Sequence, residues 1–300
     1  MKLTQIRDFL AVVECGGVRA AARKLSVAPP TLSKSVNDLE TGLHVQLLAR
    51  SARGVTLIPA GRAFHARAQA AATELRKAEE EAAQSGGSGA GTVAFSMGLI
   101  GVTAVLPEAL ARFRRQFPLA RVNIMEGFAA LMQADVRNET LDFAFGLKST
   151  KPVESGIHFR PLFRVKLAVY ARKGHRLSRA RSLADLISAD WLDYGNIWAL
   201  GAIAESLFRS AGLEPPRPIV RCASYSAATT LMLYNDMLSL THQYSLGRFP
   251  TQEALQAIPV TEAMPSLTVG LYTRVGTPLT RVAAAMVRHV TAVAGEVGRA

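Results

Sequence analysis

The sequence predicts a small all-α winged helix-turn-helix domain, a long linker helix, and then an α/β domain of two lobes. Apolar residues recur at helical spacing up to residue 84, and strand-like and helix-like segments alternate from residue 92. A stretch rich in glycine and serine, residues 85–91, separates the two patterns. The predicted bounds are 1–58 for the first domain, 59–91 for the linker helix and hinge, and 92–300 for the second domain, with one lobe near 92–160 and 267–300 and the other near 161–266.

The positive charge is concentrated near the amino terminus. The 300 residues carry a formal net charge of +12, and half of it falls in residues 1–67, which hold ten basic and four acidic side chains. So basic a segment favours a nucleic-acid partner over a general effect on solubility. The rest of the charge is spread thinly over the remaining residues. An ordinary helical bundle with a solvated basic face is the alternative interpretation of this segment.

Several function classes are disfavoured by what the sequence lacks. Cys15 and Cys222 form no C-x-x-C pair, and the six histidines show no metal-ligand spacing. Arg7 and Asp8 interrupt the stretch that a secretion signal needs, and no apolar run reaches the roughly 20 residues of a membrane span. Phosphate-binding and nucleophile-elbow motifs are missing. We therefore expect a cytoplasmic protein without membrane contact, metal, other cofactor or enzymatic activity.

The amino-terminal segment predicts three short helices. An apolar stripe from Leu3 to Val13 forms the first, and Val18–Leu25, which is rich in alanine, forms the second. The third begins at the two prolines that precede Thr31, because proline is tolerated in the first turn of a helix but not in its middle. Leu32, Val36 and Leu39 turn inward. The expected DNA contacts are the residues at its start and on its polar faces, Pro30, Thr31, Ser33, Lys34 and Asn37.

A two-stranded wing is predicted directly after these helices. Arg50 and Arg53 flank a turn that ends in Gly54, and β-forming residues lie on both sides of it. The tip of such a wing reaches the phosphate backbone or the minor groove, so both arginines are predicted DNA contacts.

The linker helix, residues 59–84, carries the pattern of a coiled-coil seam. Apolar residues recur at spacings of 4, 3, 4, 3 and 4, an average near 3.5. The seam is formed by Phe64, Ala68, Ala71, Leu75, Ala78 and Ala82. It predicts a homodimer, which suits a helix-turn-helix protein because two copies read two half-sites with two-fold symmetry.

The second domain begins with a repeated strand–helix pattern. Strands are predicted at Thr92–Met97, Arg121–Met125 and Leu141–Phe145, with a helix after each of the first two. This alternation predicts a mostly parallel sheet, in which ligands bind beyond the carboxyl ends of the strands. The pattern starts again near Arg160, so a second lobe and a cleft between the lobes are expected.

A set of short motifs, taken in their order along the chain, carries a family likeness. They are Phe9-Leu10, Ala20-Ala21-Ala22, Leu25, Pro30, Leu32-Ser33, Leu39-Glu40, Leu43, Leu47, Arg50, Arg53-Gly54-Val55-Thr56-Leu57, Ala60-Gly61, Leu106-Pro107, Leu110, Phe113, Phe117-Pro118, Val122, Glu126-Gly127, Leu141-Asp142-Phe143-Ala144 and Pro161-Leu162. In this order they resemble the LysR-type bacterial transcriptional regulators. Pro29 is a departure, because members usually have glutamine there, and Gly98 stands where many have Ser or Thr.

The resemblance implies an activator or repressor that binds promoter DNA as a homodimer or homotetramer, with RNA polymerase as a further candidate partner. It also implies that residues 92–300 adopt the fold of periplasmic binding proteins and bind a small-molecule inducer, an organic acid or an aromatic compound, between the lobes. The implied inducer contacts are Met97, Gly98, Leu99, Ile100, Phe128, Leu147, Asn196, Ile197, Ser224, Tyr225, Thr241 and His242, and Ser96 is added because its hydroxyl can take the place of the one absent at Gly98.

Two other functions compete with transcriptional regulation. A solute-binding protein for transport fits the second domain alone, but the basic first domain and the missing secretion signal disfavour it. A cytoplasmic small-molecule-binding protein or enzyme without DNA readout also fits the second domain. Turnover of a bound small molecule would favour the enzyme, whereas altered DNA binding would favour the regulator.

Overall fold

The computed structural model describes residues 1–51, 54–85, 90–127, 129–149, 152–193, 200–222, 224–242 and 254–299. The chain forms two compact units, a first of Met1–Gly86 with Asn138–Thr140 and a second of Gly87–Arg137 and Leu141–Ala300. Within the described ranges, no helix is both long enough and apolar enough to cross a membrane.

The first unit is a winged helix-turn-helix domain followed by a long helix, as predicted. The second helix has the bounds that the sequence predicts, and the third begins at the two prolines as predicted. The elements are α1 (Leu3–Glu14), α2 (Val18–Leu25), α3 (Pro29–Leu43), the paired strands β1 (Leu48–Ser51) and β2 (Gly54–Leu57), and α4 (Pro59–Ser85).

A single apolar core holds the three short helices together. Phe9 of α1 and Leu32 of α3 are fully buried in it, and Ala21 and Ala22 of α2 let the helix backbones approach closely. Helix α2 ends at Ser26, whose left-handed backbone (φ 54°) lets the next amide donate back to the carbonyl of Ala22. The sharp turn between α2 and α3 follows from that ending and from the prolines in the first turn of α3.

The second unit is built on one mixed sheet with helices packed against it. Its elements are β3 (Thr92–Met97), a π-helical turn (Gly101–Val105), α5 (Leu106–Gln116), β4 (Arg121–Glu126), α6 (Ala129–Arg137), β5 (Phe143–Leu147), β6 (Ile157–Arg172), a 3-10 turn (Ala184–Leu186), β7 (Leu192–Asp193), α7 (Leu200–Ser210), β8 (Val220–Arg221), α8 (Tyr225–Tyr234), β9 (Ser239–His242), β10 (Leu255–Ala257), β11 (Ser266–Arg274) and α9 (Arg281–Val297). The strand order in the sheet is β10-β6-β11-β5-β3-β4, with β9 beside β6. Strands β7 and β8 form a separate parallel pair.

The sheet is less parallel than the sequence predicts. Strands β3, β4 and β5 are parallel to one another, whereas β11 pairs antiparallel with β5 and β6, and β6 pairs antiparallel with β9 and β10. The reason is that β11, which follows about 100 residues later in the chain, lies between β5 and β6 and pairs antiparallel with both of them. The third strand also begins two residues later than predicted, at Phe143. Just before it, the amide of Asp142 donates to the carbonyl of Ala94 (2.7 Å), and its carboxylate accepts from the amide of Ala94 (2.8 Å).

Strand β6 passes from one lobe into the other. Its first part pairs with β11, and its last part pairs with β9 and β10. Val165 lies in the core of the first lobe, with β3, α5 and α9, whereas Leu167 lies in a second core with α7 and α8. Leu267 of β11 contacts both cores. The two lobes are therefore joined by two adjacent strands, β6 between Val165 and Leu167 and β11 near Leu267.

The junction between the wing and α4 leaves no room for a side chain at Gly61. A Cβ atom there would lie 1.9 Å from the carbonyl oxygen of Leu47, whereas one at Gly42 of α3 would meet nothing within 4 Å. We expect Gly61→Ala to lower the free energy of unfolding by about 1–3 kcal/mol through overpacking. Gly42→Ala should leave it unchanged or raise it by up to about 1 kcal/mol, because alanine favours helix. Thermal unfolding of both variants measures the contrast, and equal melting temperatures would contradict this packing.

Candidate DNA interface and effector cleft

Helix α3 has one buried face and one exposed face. Leu32, Val36 and Leu39 are at most 1% exposed and fix the helix against the core. The sequence-predicted contacts occupy the rest of the helix surface: Pro30, Thr31, Lys34 and Asn37 are exposed, and Ser33 is partly exposed. The structure therefore brings these five residues together along the outer side and first turns of one helix.

The carboxylate of Glu40 ties the end of α3 to the wing. Its Oε1 atom accepts hydrogen bonds from the amides of Leu47 (2.7 Å) and Leu48 (3.0 Å) at the start of β1. The carbonyl of Leu47 in turn accepts from the amide of Ile58, just before α4. Glu40 is thus a positioning residue that the sequence analysis missed as part of the site. Its acidic side chain in the last turn of α3, a few residues before the wing, is the signal that could have found it.

The wing is docked on the turn between α1 and α2. Its two strands pair from Leu48 with Leu57 to Ser51 with Gly54. Gly54 has a φ of +120°, and a Cβ atom there would lie 2.6 Å from the carbonyl oxygen of Gly16, which accepts from the amide of Val55. Of the two predicted wing contacts, Arg50 lies in β1 but its side chain is outside the described part, and Arg53 is outside the described residues altogether.

The predicted seam of α4 divides into two parts in the single chain. Phe64 packs edge-to-face on Phe9 of α1, with ring centroids 5.3 Å apart, and Ala68 is 4% exposed. The later positions Ala71, Leu75, Ala78 and Ala82 are exposed. The first two seam positions therefore belong to a region packed within the protomer, and the last four remain accessible to a second copy.

Three glycines meet at the carboxyl ends of the parallel strands in the first lobe. A Cβ atom at Gly98 would lie 3.7 Å from the Cα of Gly146 and 3.9 Å from the carbonyl oxygen of Gly127. The side chain of Met132 on α6 approaches all three. We call Gly98, Gly127 and Gly146 the glycine floor. Only Gly98 was predicted from the sequence as a contact. Gly127 directly follows β4, and Gly146 is the next-to-last residue of β5.

Ser96 lies beside the glycine floor with an unused hydroxyl. The side chain is 2% exposed, and its Oγ atom has no hydrogen-bond partner. A Cβ atom at Gly127 would lie 3.2 Å from this oxygen, so the hydroxyl faces the floor. A buried hydroxyl without a hydrogen-bond partner lowers the free energy of unfolding by about 1–3 kcal/mol. A ligand that supplies the missing hydrogen bond removes this penalty.

The other predicted positions of the first lobe have different surroundings. Met97 and Ile100 are buried in the lobe's own apolar core. Leu99 packs against the core of the second lobe and so bridges the lobes. Leu147 packs against the first core, and its carbonyl accepts a hydrogen bond from the hydroxyl of Tyr272. Phe128 lies outside the described residues.

The second lobe contributes two pairs of predicted residues. Ser224 caps α8 by accepting from the amide of Ala227, and Tyr225 is buried in the lobe's core. Thr241 and His242 are buried on β9, where His242 is opposite Leu167 of β6. Burial lowers the pKa of His242 to about 4, so its imidazole is neutral at neutral pH. Asn196 and Ile197 lie outside the described residues.

Comparison with known families identifies both units. The protein-family model described as the LysR substrate binding domain matches residues 86–295, which is more than half of the chain. The model described as the bacterial regulatory helix-turn-helix protein, lysR family, matches residues 3–62. The chain belongs to the LysR family of transcriptional regulators. Helices α2 and α3 are therefore the helix-turn-helix of a LysR-type protein, and the second unit is its effector-binding domain.

Curated relatives and solved structures agree with this membership. The HTH-type transcriptional regulator TdcA of Escherichia coli K12 is 29% identical over 261 residues, which cover 86% of this chain and 82% of TdcA. The HTH-type transcriptional regulator GalR of Pseudomonas putida is 26% identical, and the match covers 91% of this chain and 69% of GalR. Full-length CbnR in complex with its target DNA shares the fold, with a TM-score of 0.72, 22% identity and coverage of 98% of this chain and 100% of CbnR.

The stability of this LysR-type effector domain should fall in acid because of His242. The unfolded chain binds a proton near pH 6.5, whereas the folded imidazole does so only near pH 4. We expect the free energy of unfolding to fall by about 2 kcal/mol from this residue between pH 7.5 and pH 5. Urea unfolding at both pH values should show a smaller fall for His242→Gln than for the natural chain, while the exposed His158→Gln should match the natural chain. An equal fall for His242→Gln would contradict the assignment.

Proposed function

We propose that the protein binds double-stranded operator DNA at a promoter and that a small-molecule inducer, bound between the lobes of its effector domain, changes its activity as an activator or repressor. The observation that carries the proposal is the exposed face of α3, which is held in place by the buried face opposite. Family membership and the concentration of positive charge in residues 1–67 support it further.

On DNA, α3 enters the major groove and the wing contacts the backbone or the minor groove. Thr31, Ser33 and Asn37 carry groups that can hydrogen-bond base edges or phosphates, and Lys34 supplies a cation for phosphate. Pro30 contacts DNA through its apolar ring at the start of the helix. The wing contacts are Arg50 and Arg53. Pro29 has no hydrogen-bonding side chain, so base readout depends on these neighbours.

The DNA-binding form is a homodimer, and two dimers associate into a homotetramer. Ala71, Leu75, Ala78 and Ala82 are exposed at spacings of 4, 3 and 4 on α4, and Leu75 is 43% exposed in the single chain. Small residues in such a seam permit close approach of two helices. Phe64 and Ala68 extend the same seam at its start, although both also pack within the protomer.

The inducer binds over the glycine floor and between the lobes. The Ser96 hydroxyl donates to a carboxylate or hydroxyl of an organic acid or aromatic compound, and the absence of side chains on the floor leaves room for it. The remaining proposed contacts are Met97, Gly98, Leu99, Ile100, Phe128 and Leu147 on the first lobe, and Asn196, Ile197, Ser224, Tyr225, Thr241 and His242 on the second.

Regulation follows if the inducer binds one arrangement of the lobes more tightly than another. Strands β6 and β11 connect the lobes, so a rotation about them changes the cleft without unfolding either core. Inducer binding shifts the population toward the arrangement of the lobes that it favours. That shift re-orients the dimers in the tetramer and changes the spacing or bend of the bound DNA. We also propose the following domain bounds. The DNA-binding domain ends at residue 58, the linker helix and hinge end at residue 91, and the second lobe extends from about residue 161 to residue 266.

The protein acts by binding rather than by catalysis. Its place is the cytoplasm, where a bacterial promoter and RNA polymerase are both present, and the polymerase is the further partner that an activator requires. Membership of a family of transcriptional regulators supports this choice over an enzyme or a transport protein.

Lys34 provides the test of DNA binding. We expect Lys34→Ala to weaken binding to an operator fragment and to reduce the slope of log affinity against log salt by about 1, because one phosphate contact is lost. Fluorescence anisotropy at several salt concentrations measures both quantities. Lys173→Ala removes the same charge from an exposed position in the effector domain and should leave them unchanged. If Lys34→Ala behaved as Lys173→Ala does, α3 would not be the recognition helix.

Ser96 provides the test of the inducer site. We expect Ser96→Ala to keep or raise the melting temperature, because no hydrogen bond is lost, and to abolish the shift caused by the best ligand from a thermal-shift screen of aromatic and aliphatic acids. Ser239 is the matched control: it is fully buried but donates to the carbonyl of Leu192, so Ser239→Ala should lower the melting temperature. A ligand shift that survives Ser96→Ala would contradict the proposed contact.

A further inference from the structure

A small cavity of about 40 Å³ lies inside the second lobe, between β7, β9 and α7. Trp191 and Phe208 form apolar walls, together with the prolines of residues 215–218. Asp193, Glu205 and Ser239 are the polar side chains that line it. None of its lining residues is in the first lobe or among the proposed inducer contacts, so it is separate from the glycine floor.

The side chains of this cavity offer hydrogen-bond acceptors but no free donor. The indole N–H of Trp191 donates to the carbonyl of Leu186 (2.9 Å), and the hydroxyl of Ser239 donates to the carbonyl of Leu192 (3.2 Å). Both donors are therefore already used. What remains are the lone pairs of Ser239 and the carboxylates of Asp193 and Glu205, which can only accept.

The carboxylate of Asp193 is largely buried and weakly paired. Its side chain is 12% exposed, and its ion partner is Arg221, whose Nε lies 3.5 Å away and whose side chain is 64% exposed. The carboxylate lies against Gly201, in the first turn of α7, where a Cβ atom would meet Oδ1 at 2.8 Å. A buried carboxylate is stabilised by a close, desolvated cation, which the long contact to an exposed arginine supplies only in part.

We propose that this cavity binds the ammonium group of a small primary amine. The ammonium donates to Asp193 and Ser239, and the faces of Trp191 and Phe208 attract its positive charge. The volume exceeds the roughly 10–15 Å³ that one water needs but is far below the roughly 300 Å³ of a pocket for a drug-sized ligand, so only an ammonium and its nearest carbons fit. Calcium and magnesium ions fit poorly, because they take six or more oxygen ligands and the walls are largely aromatic rings and prolines. The lining residues that the structure describes include no histidine or cysteine for a zinc ion.

The experiment is a titration of the full chain with ethylammonium chloride at constant ionic strength, followed by tryptophan fluorescence. The sequence has two tryptophans, so a Trp198→Phe background leaves Trp191 in the cavity wall as the only reporter. We expect a saturable change with ethylammonium and none with sodium chloride or sodium propionate. A change that does not saturate, or that sodium chloride reproduces, would overturn the proposal.

Two variants locate the binding. Asp193→Asn should raise the dissociation constant for ethylammonium at least tenfold, whereas Glu214→Gln, which neutralises an exposed acid outside the cavity lining, should leave it unchanged. Ala204→Leu fills the cavity without altering its charge and should abolish the titration, which keeps the test decisive if Asp193→Asn fails to fold. Unchanged affinity in a folded Asp193→Asn or Ala204→Leu variant would place the amine elsewhere.

Discussion

The DNA-binding domain depends on the contacts made by one residue, Leu47. Its side chain is 1% exposed in the core, its amide donates to Glu40 at the end of α3, and its carbonyl accepts from Ile58 at the start of α4. Gly61 packs directly on the same carbonyl. Because α3, the wing and α4 all meet here, the same contacts fix their relative positions. In the dimer proposed above, α4 would therefore set the spacing between the two copies of α3.

The effector domain has a comparable constraint in the pairing of β6 with β11. The ladder runs from Ile157 to Lys166, and β6 then continues into the second lobe, where β9 and β10 complete the sheet. Each lobe keeps its own core, so the strands between Val165 and Leu167 can bend at small cost in packing. In the proposed inducer site, the glycine floor belongs to the first lobe and Thr241 and His242 to the second, so such bending would change the separation of the two sets of residues.

Local signals predicted more of this structure than long-range pairing did. Prolines, glycines and helical spacing were sufficient for α2, the wing and β3, because their causes lie within a few residues. The antiparallel course of β6 depends on partners about 75 to 100 residues away, such as His242 and Leu267, and no local pattern encodes it. The glycine floor could not be predicted as a site, because glycine has no side chain that would indicate binding. Nor could the sequence separate the two roles of Phe64 and Ala68, because a dimer seam and packing within the protomer give the same spacing.

We propose that this LysR-type chain reads DNA as a symmetric dimer through α3. Selection of bound sequences from a random pool of double-stranded DNA tests this proposal. We expect enrichment of an inverted repeat whose half-sites lie about 10 base pairs apart, or a multiple of that distance, because two copies of α3 face the same side of the duplex. Leu75→Asp, which disrupts the α4 seam, should reduce the selected sequence to a single half-site or abolish selection. A pool that stays unenriched, or an enriched sequence without two-fold symmetry, would contradict the claim.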